Sequence, residues 1–134
     1  MNLFIINTNK STDKRYEQEM IQEQKCAAYR STKREIESIH KGDKVLLYSN
    51  KIGIIARGVA DGKVKKKEDR GEIDAEYFIN LDDFYQYIKS IPYDKIRLIA
   101  EKADPSFTRP FNVTSLRFDQ PASILIWDEV CKYI

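Results

Sequence analysis

The chain is poor in the residues that build the commonest catalytic and metal sites. It has one histidine, His40, and two cysteines, Cys26 and Cys131, far apart in the sequence. That leaves no cysteine–histidine spacing for a structural zinc. It also gives little support to Ser-His-Asp or Cys-His chemistry. The cysteines read as small semi-buried thiols, with no disulfide implied. His40 is expected at the C-terminal end of a helix, where a cation suits the dipole. No apolar run approaches the roughly 20 residues of a membrane helix. The opening MNLFIINTNK has no basic segment before its apolar run, so it does not read as a secretory signal. A cytoplasmic chain with no membrane partner is the expectation, and the Asn112-Val113-Thr114 sequon is discounted on that ground. There is no glycine-rich phosphate loop. Asp43, Asp82 and Asp83 are not ordered into a metal site, and helix capping accounts for the last two. No metal, no cofactor and no catalytic residue is expected. An excess of one charge is missing too. The 23 basic and 21 acidic residues leave a net charge of +2, too even for coating DNA nonspecifically. Any nucleic-acid contact must come from a local patch.

What is present is enough for one core. The chain has 134 residues, of which 42% are hydrophobic, and reads as a single domain over 1–134. Leu3 to Asn7 is a short apolar, β-rich run expected as a buried central strand. Ser11, Thr12 and Asp13 are capping residues for a helix from about Lys14 to Gln24. Thr32 and Glu35 have the spacing of a capping box, which predicts a short helix with Ile36 and Ile39 inward and Gly42 beyond its end. Lys44 to Ser49 and Ile52 to Ala60 read as a hairpin about Asn50-Lys51. Gly53 and Gly58 in the returning arm predict a bulge or a close backbone approach.

After the Asp61-Gly62 turn, the charged stretch KVKKKEDRGE reads as an exposed hairpin tip or loop, and Tyr77 to Leu81 as a strand. Asp82 is expected to cap a helix carrying Phe84, Tyr85, Tyr87, Ile88 and Ile91, stopped by Pro92. Ile96 to Ala100 is expected to be a strand and Ala103 to Thr114 a loop. A last helix from Asp119 through Tyr133 would bury Ile124, Trp127, Cys131 and Ile134. Strands and short helices alternate without a βαβ repeat. The fold class is therefore α+β: a curved, mostly antiparallel sheet or open barrel with short helices at its flanks.

One stretch carries a family resemblance. Tyr29-Arg30-Ser31 leads into Ile36 and Ile39, then Lys41-Gly42-Asp43, then Val45-Leu46-Leu47-Tyr48-Ser49-Asn50, then Gly53-Ile54-Ile55-Ala56-Arg57-Gly58-Val59-Ala60. This resembles EVE domains of the PUA-like superfamily, and YTH domains, which share the architecture. Ser31 stands where the family's Asn follows the arginine. The letter-level likeness covers about residues 26 to 60. The order of elements matches from Leu3 through the last helix. The resemblance implies a PUA-like sheet and a pocket for one flipped, modified base of DNA or RNA.

Candidate walls of such a pocket are strand ends and loops, where binding groups gather. They are Asn7 and Thr8; Tyr29, Arg30 and Ser31; Tyr48, Ser49 and Asn50; and Phe107, Arg109 and Phe111 on the proline-containing loop. Tyr29 and Phe107 have polar or loop-forming neighbours, whereas Tyr48 also fits a cross-strand packing role. Lys65, Lys66 and Lys67, extended by Lys51 and Arg57, form a candidate phosphate-contacting arm or a solvated hairpin tip. The reading is a non-catalytic nucleic-acid-binding module. A protein-interaction module whose basic arm meets an acidic partner, and a PUA-like hydrolytic enzyme, stand as alternatives.

Overall fold

A computed structural model describes residues 1–134. The chain forms a seven-stranded, strongly curled open half-barrel with a few short helices, an α+β arrangement. The strands are β1 (Leu3–Asn7), β2 (Lys25–Tyr29), β3 (Lys44–Ser49), β4 (Gly53–Ala60), β5 (Lys65–Asp69), β6 (Glu72–Pro92) and β7 (Ser115–Phe118). The helices are α1 (Lys14–Glu23), α2 (Tyr93–Ala103) and α3 (Ala122–Val130), with a 3₁₀ segment over Arg30–Ser38. The strand order is β2-β6-β4-β3-β1-β7, with β5 paired to β6. Every pairing is antiparallel except β1 with β3. No helix is long and apolar enough to cross a membrane.

Alternation along β1 and β3 divides the interior in two. Phe4, Ile6, Val45 and Leu47 face one side, where Tyr16, Met20, Tyr29, Ile36 and Ile39 complete a core under α1 and the 3₁₀ segment. Leu3, Ile5, Leu46 and Tyr48 face the other, where Ile91, Ile96, Phe107, Phe111, Phe118 and Ile126 complete a second core under α2 and α3.

The strand β6 is the main correction to the sequence reading. Residues 82–91 are not a helix; they continue the strand begun at Glu72. The first half of β6 lies between β2 and β5, and the second half pairs with β4. The apolar spacing mimics a helix because the strand is interrupted. Register shifts against β4, one beside Asp83 with its positive φ of 50°, break the two-residue alternation. Gly53 and Gly58 permit this pairing: a side chain at the first would overlap the Ile91 carbonyl, and one at the second would press on Leu81.

Four further expectations shift. Ile96–Ala100 is helical within α2: Ile96 and Ala100 are four apart on its buried side, and Asp94 sits in its first turn. Pro92, read as a stop, sits instead at that helix's N-cap. The Thr32–Glu35 pair does not form a capping box. The Thr32 hydroxyl donates to the Tyr29 carbonyl, Glu35 accepts from Ser115, and the turn is 3₁₀. In α3 the buried side is Ala122, Ser123, Ile126 and Val130, while Ile124 and Ile134 are exposed and Trp127 is half-buried beneath Lys44. The charged stretch is a true hairpin, β5 to β6, turned by Arg70 and Gly71, both at positive φ as a two-residue type I′ turn requires.

Candidate functional site

The strand ends build two very different corners. At the first, β3 finishes with Tyr48 and Ser49 and turns through Asn50 and Lys51, the latter at φ 67°. The end of β6 pairs with the start of β4 through Gly53 and Pro92, so Tyr93 emerges beside that turn. The loop before β7 supplies Phe111. Ring centroids lie 5.3 Å apart for Tyr48–Phe111, 5.4 Å for Tyr93–Phe111 and 6.4 Å for Tyr48–Tyr93. Phe111 also meets Phe107 edge-on at 6.0 Å. Such tilted and edge-to-face contacts are the favoured packing of aromatic rings. Tyr48 and Phe111 are buried, but Tyr93 is 39% exposed. The resulting cavity, about 370 Å³, is lined by Tyr48, Asn50, Lys51, Tyr93, Pro110, Phe111 and Asn112. It has aromatic walls, two amides, one cation and no carboxylate. Burial raises the Tyr48 phenol above its ordinary pKa.

At the second corner the rings are closed off. Odd-numbered side chains of β2 share a face, which puts Lys25 and Tyr29 with Glu76 of β6. Tyr29 lies flat against Tyr16 of α1, with centroids 3.7 Å apart and planes at 15°. Its hydroxyl is buried without a hydrogen-bond partner. Burial pushes this phenol far above its ordinary pKa, and the nearby Glu76 and Glu19 add to the shift. Lys25 is fully buried and donates to Glu76 at 2.7 Å, with Glu23 at 3.2 Å and Glu19 at 3.8 Å. Burial raises the Glu76 carboxyl despite that partner.

Outside this stack the β5–β6 hairpin is clasped to α1. The Tyr16 hydroxyl donates to Asp69 at 2.6 Å, Arg30 pairs with the same carboxylate, and Arg70 reaches Asp13 at 2.8 Å. For Asp69, burial pushes upward, but Tyr16 and Arg30 outweigh it and the pKa falls. Hydrogen bonds from Arg15 and Arg70 hold Asp13 well below the usual carboxylate range. A cleft of about 210 Å³ remains between the charged side chains.

The sequence-named residues divide between these corners. Tyr48, Asn50 and Lys51 come together, joined by Phe111. Tyr29 and Phe107 lie in separate cores and do not share a cavity. Asn7 is nearly buried and its side-chain oxygen accepts from the Asn9 amide. The Thr8 hydroxyl donates to Glu17 at 2.6 Å. Ser49 is buried with an unpartnered hydroxyl, and Ser31 is exposed. Arg109 lies over Phe107 and Phe118 and donates to the Arg117 carbonyl.

The basic arm is engaged within the fold. Lys65 donates to Asn80, Lys66 sits over the Tyr77 ring, and Lys67 donates to Glu19 at 3.0 Å. Arg57 is remote from that arm. It packs on Tyr85 and Tyr87 and donates to the Tyr87 hydroxyl and to the carbonyls of Val130 and Tyr133, at the end of α3. Tyr93 and Asn112 escaped the sequence reading. The usable signal for Tyr93 was Pro92 and Asp94 around it, a helix start, which places a residue at the rim of a sheet. The free thiol of Cys26 is buried and pushed up to about 12, which makes it inert. No group of three His, Cys, Asp or Glu side chains is arranged to hold a metal ion.

No protein-family model matches the chain, and no curated protein matches it. Solved structures do resemble it in fold. Protein PSPTO5229 from Pseudomonas syringae is 7% identical, with a TM-score of 0.59 and 97% of each chain covered. Rpa0253 from Rhodopseudomonas palustris is 11% identical, with a TM-score of 0.58, covering 98% of this chain and 92% of that one. A Pseudomonas putida protein is 6% identical, with a TM-score of 0.57 and 97% of each chain covered. At such identities the likeness is one of fold, and the curled half-barrel is compatible with a PUA-like architecture.

Proposed function

We infer that the chain is a non-catalytic, EVE-like nucleic-acid-binding module that takes one flipped or modified base at the Tyr48–Tyr93–Phe111 cavity. The observation that carries this reading is the composition of that cavity: three aromatic rings, the Asn50 and Asn112 amides and Lys51, with no carboxylate among the lining residues. A base leaving its stack loses a few kcal/mol. Stacking on an aromatic face restores about 1–3 kcal/mol per base. Tyr93 offers the exposed ring, and a methyl group on the base would find apolar cover against Phe111. Each amide carries both donors and an acceptor, as reading a base edge requires. Lys51 at the rim suits a neighbouring phosphate, which positions the strand without reading it.

The PUA-like likeness of Cys26 to Ala60 and the curled sheet support the same reading, which assumes a cytoplasmic setting. A hydrolytic function would need a nucleophile beside a base in one cavity. The polar groups here are amides, phenol hydroxyls and one ammonium, which suit recognition better.

Fluorescence-anisotropy titration of methylated and unmodified single-stranded DNA and RNA tests the reading. Tyr93→Ala is expected to weaken binding roughly ten- to a hundredfold. Absence of binding to every oligonucleotide, or affinity indifferent to Tyr93, counts against it.

A further inference from the structure

The layer made by α2 and α3 leaves apolar side chains on the outside. Leu98 is 47% exposed and Leu125 is 50% exposed. Neither can reach the core. On α2 the buried residues are Ile96 and Ala100, and Leu98 falls about 200° round the helix from Ile96. On α3 the inward residues include Ser123, Ile126 and Val130, and Leu125 lies off that side. Between the two helices runs an open groove of about 560 Å³, floored by these leucines.

The α2 wall of the groove is basic, and the α3 wall carries two carboxylates with Lys132 beside them. Lys95 and Lys102 flank Leu98 on α2, three residues before it and four after. Asp128 and Glu129 follow Leu125 on α3 by three and four. Lys95, Lys102 and Asp128 enter no ion pair within the chain. Glu129 has only the exposed Lys132, at 2.8 Å.

This pattern selects its own occupant. An anionic membrane or a uniformly acidic peptide would meet Asp128 and Glu129. A uniformly basic partner would meet Lys95 and Lys102. What matches both walls is a leucine-bearing acidic helix opposite α2 and a leucine-bearing basic helix opposite α3. A second copy of the same surface, turned through a two-fold axis, presents that pair.

We propose that the α2–α3 face joins two copies of this chain in an isologous dimer, α2 of one against α3 of the other. Leu98 and Leu125 of both copies form the dry centre. The Lys95–Lys102 and Asp128–Glu129 rows close the rim in both directions. The face shares no residue with the aromatic cavity, so the inference stands apart from the proposed function.

Sedimentation velocity on the full chain, from about 1 μM upward over a roughly hundredfold range, tests it. The expected species at the upper end has twice the 15.7 kDa mass of one chain. Leu98→Glu with Leu125→Glu should give the single-chain mass, with an unchanged far-ultraviolet circular dichroism spectrum. Lys95→Glu with Lys102→Glu should weaken the dimer at least about tenfold through like-charge contact. Adding Asp128→Lys and Glu129→Lys to that variant should restore it, a rescue that misfolding cannot produce. A wild-type chain that stays at 15.7 kDa throughout overturns the proposal. So does a dimer indifferent to the leucines, a charge-exchanged variant that fails to recover, or a single-chain species that binds phosphatidylglycerol vesicles through this face.

Discussion

Tyr29 and Tyr93 both stand where the chain leaves the sheet, and each has an arginine close by. Tyr29 lies face to face with Tyr16 and is 7% exposed. Tyr93 meets Phe111 edge-on, at 89°, and is 39% exposed. Arg30, next to Tyr29, is tied to Asp69, whereas Arg97 reaches the Tyr93 hydroxyl at 3.4 Å and pairs with Glu101 of its own helix. The α1 corner thus covers its rings and pairs its charges with protein groups, leaving only the Tyr29 hydroxyl without a partner, and the α2 corner leaves a ring and two amides facing solvent. Chain chemistry alone made Tyr29, with Phe107, a better ligand candidate than Tyr48. The partner of Tyr29, Tyr16, is 13 residues earlier and invisible as a neighbour until α1 folds back.

The sharpest way to break this contrast is at Lys25. Lys25→Met leaves Glu76 buried without its cation, which should cost about 3–5 kcal/mol of stability in urea unfolding. Adding Glu76→Leu should recover most of that loss. Neither change should alter oligonucleotide affinity of the folded fraction. An unfolding midpoint that ignores Lys25→Met would show that the α1 corner is not held by its ion pair.

The next effect belongs to the other corner. Tyr93→Ala should cost about 1–3 kcal/mol of binding, with well under that in stability, because its ring is exposed. Tyr29→Ala should do the reverse, losing about 3–5 kcal/mol of stability for a truncated core aromatic while the folded protein binds normally. Calorimetry and titration on the same two variants separate the corners. If Tyr29→Ala abolished binding by folded protein, their roles would be exchanged.

Tyr29→Phe is a smaller change with an unusual sign. Its hydroxyl is buried and unpartnered, so removing it should be neutral or stabilise by about 1–3 kcal/mol. A clear fall in melting temperature would mean that the hydroxyl has a partner after all.

The smallest expected effect is local and pH-dependent. Asp13 and Asp69 have lowered pKa values in the folded chain. Their contribution is full above the ordinary carboxylate value of 3.8 and is lost as pH falls through the lowered values. Glu76 is raised, so its own contribution runs the other way and favours the fold as it protonates. Amide exchange in the β5–β6 hairpin should therefore speed up below about pH 4 relative to β1 and β3. Equal protection of hairpin and centre across that range would remove the clasp from the account.

Several elements could be read from local chemistry. β1, β3, β4, α1, the Asn50-Lys51 turn and the loop before β7 follow from apolar runs, caps and turn residues. β2 was missed because KCAAY carries two alanines and a lysine, with little strand character of its own. It is a strand because β6 supplies its hydrogen bonds and Glu76 neutralises Lys25. The helix expected over 82–91 failed for the converse reason: bulges against β4 disguise a strand as a helical stripe. In the site, Tyr48, Asn50 and Lys51 were legible as a strand end and its turn. Tyr93 was not, because its place depends on a pairing between Gly53 and Pro92.

By itself the sequence determined an α+β chain with one strong apolar strand pair, little net charge and few of the histidines and cysteines that common zinc and triad sites use. Those are properties of composition and of neighbours within a few residues. Only the tertiary structure decided which aromatic rings are covered and which stay open. Ring exposure is set by whatever packs from distant segments: α1 over Tyr29, and an edge-on Phe111 beside Tyr93. Long-range packing of that kind leaves no trace in local pattern.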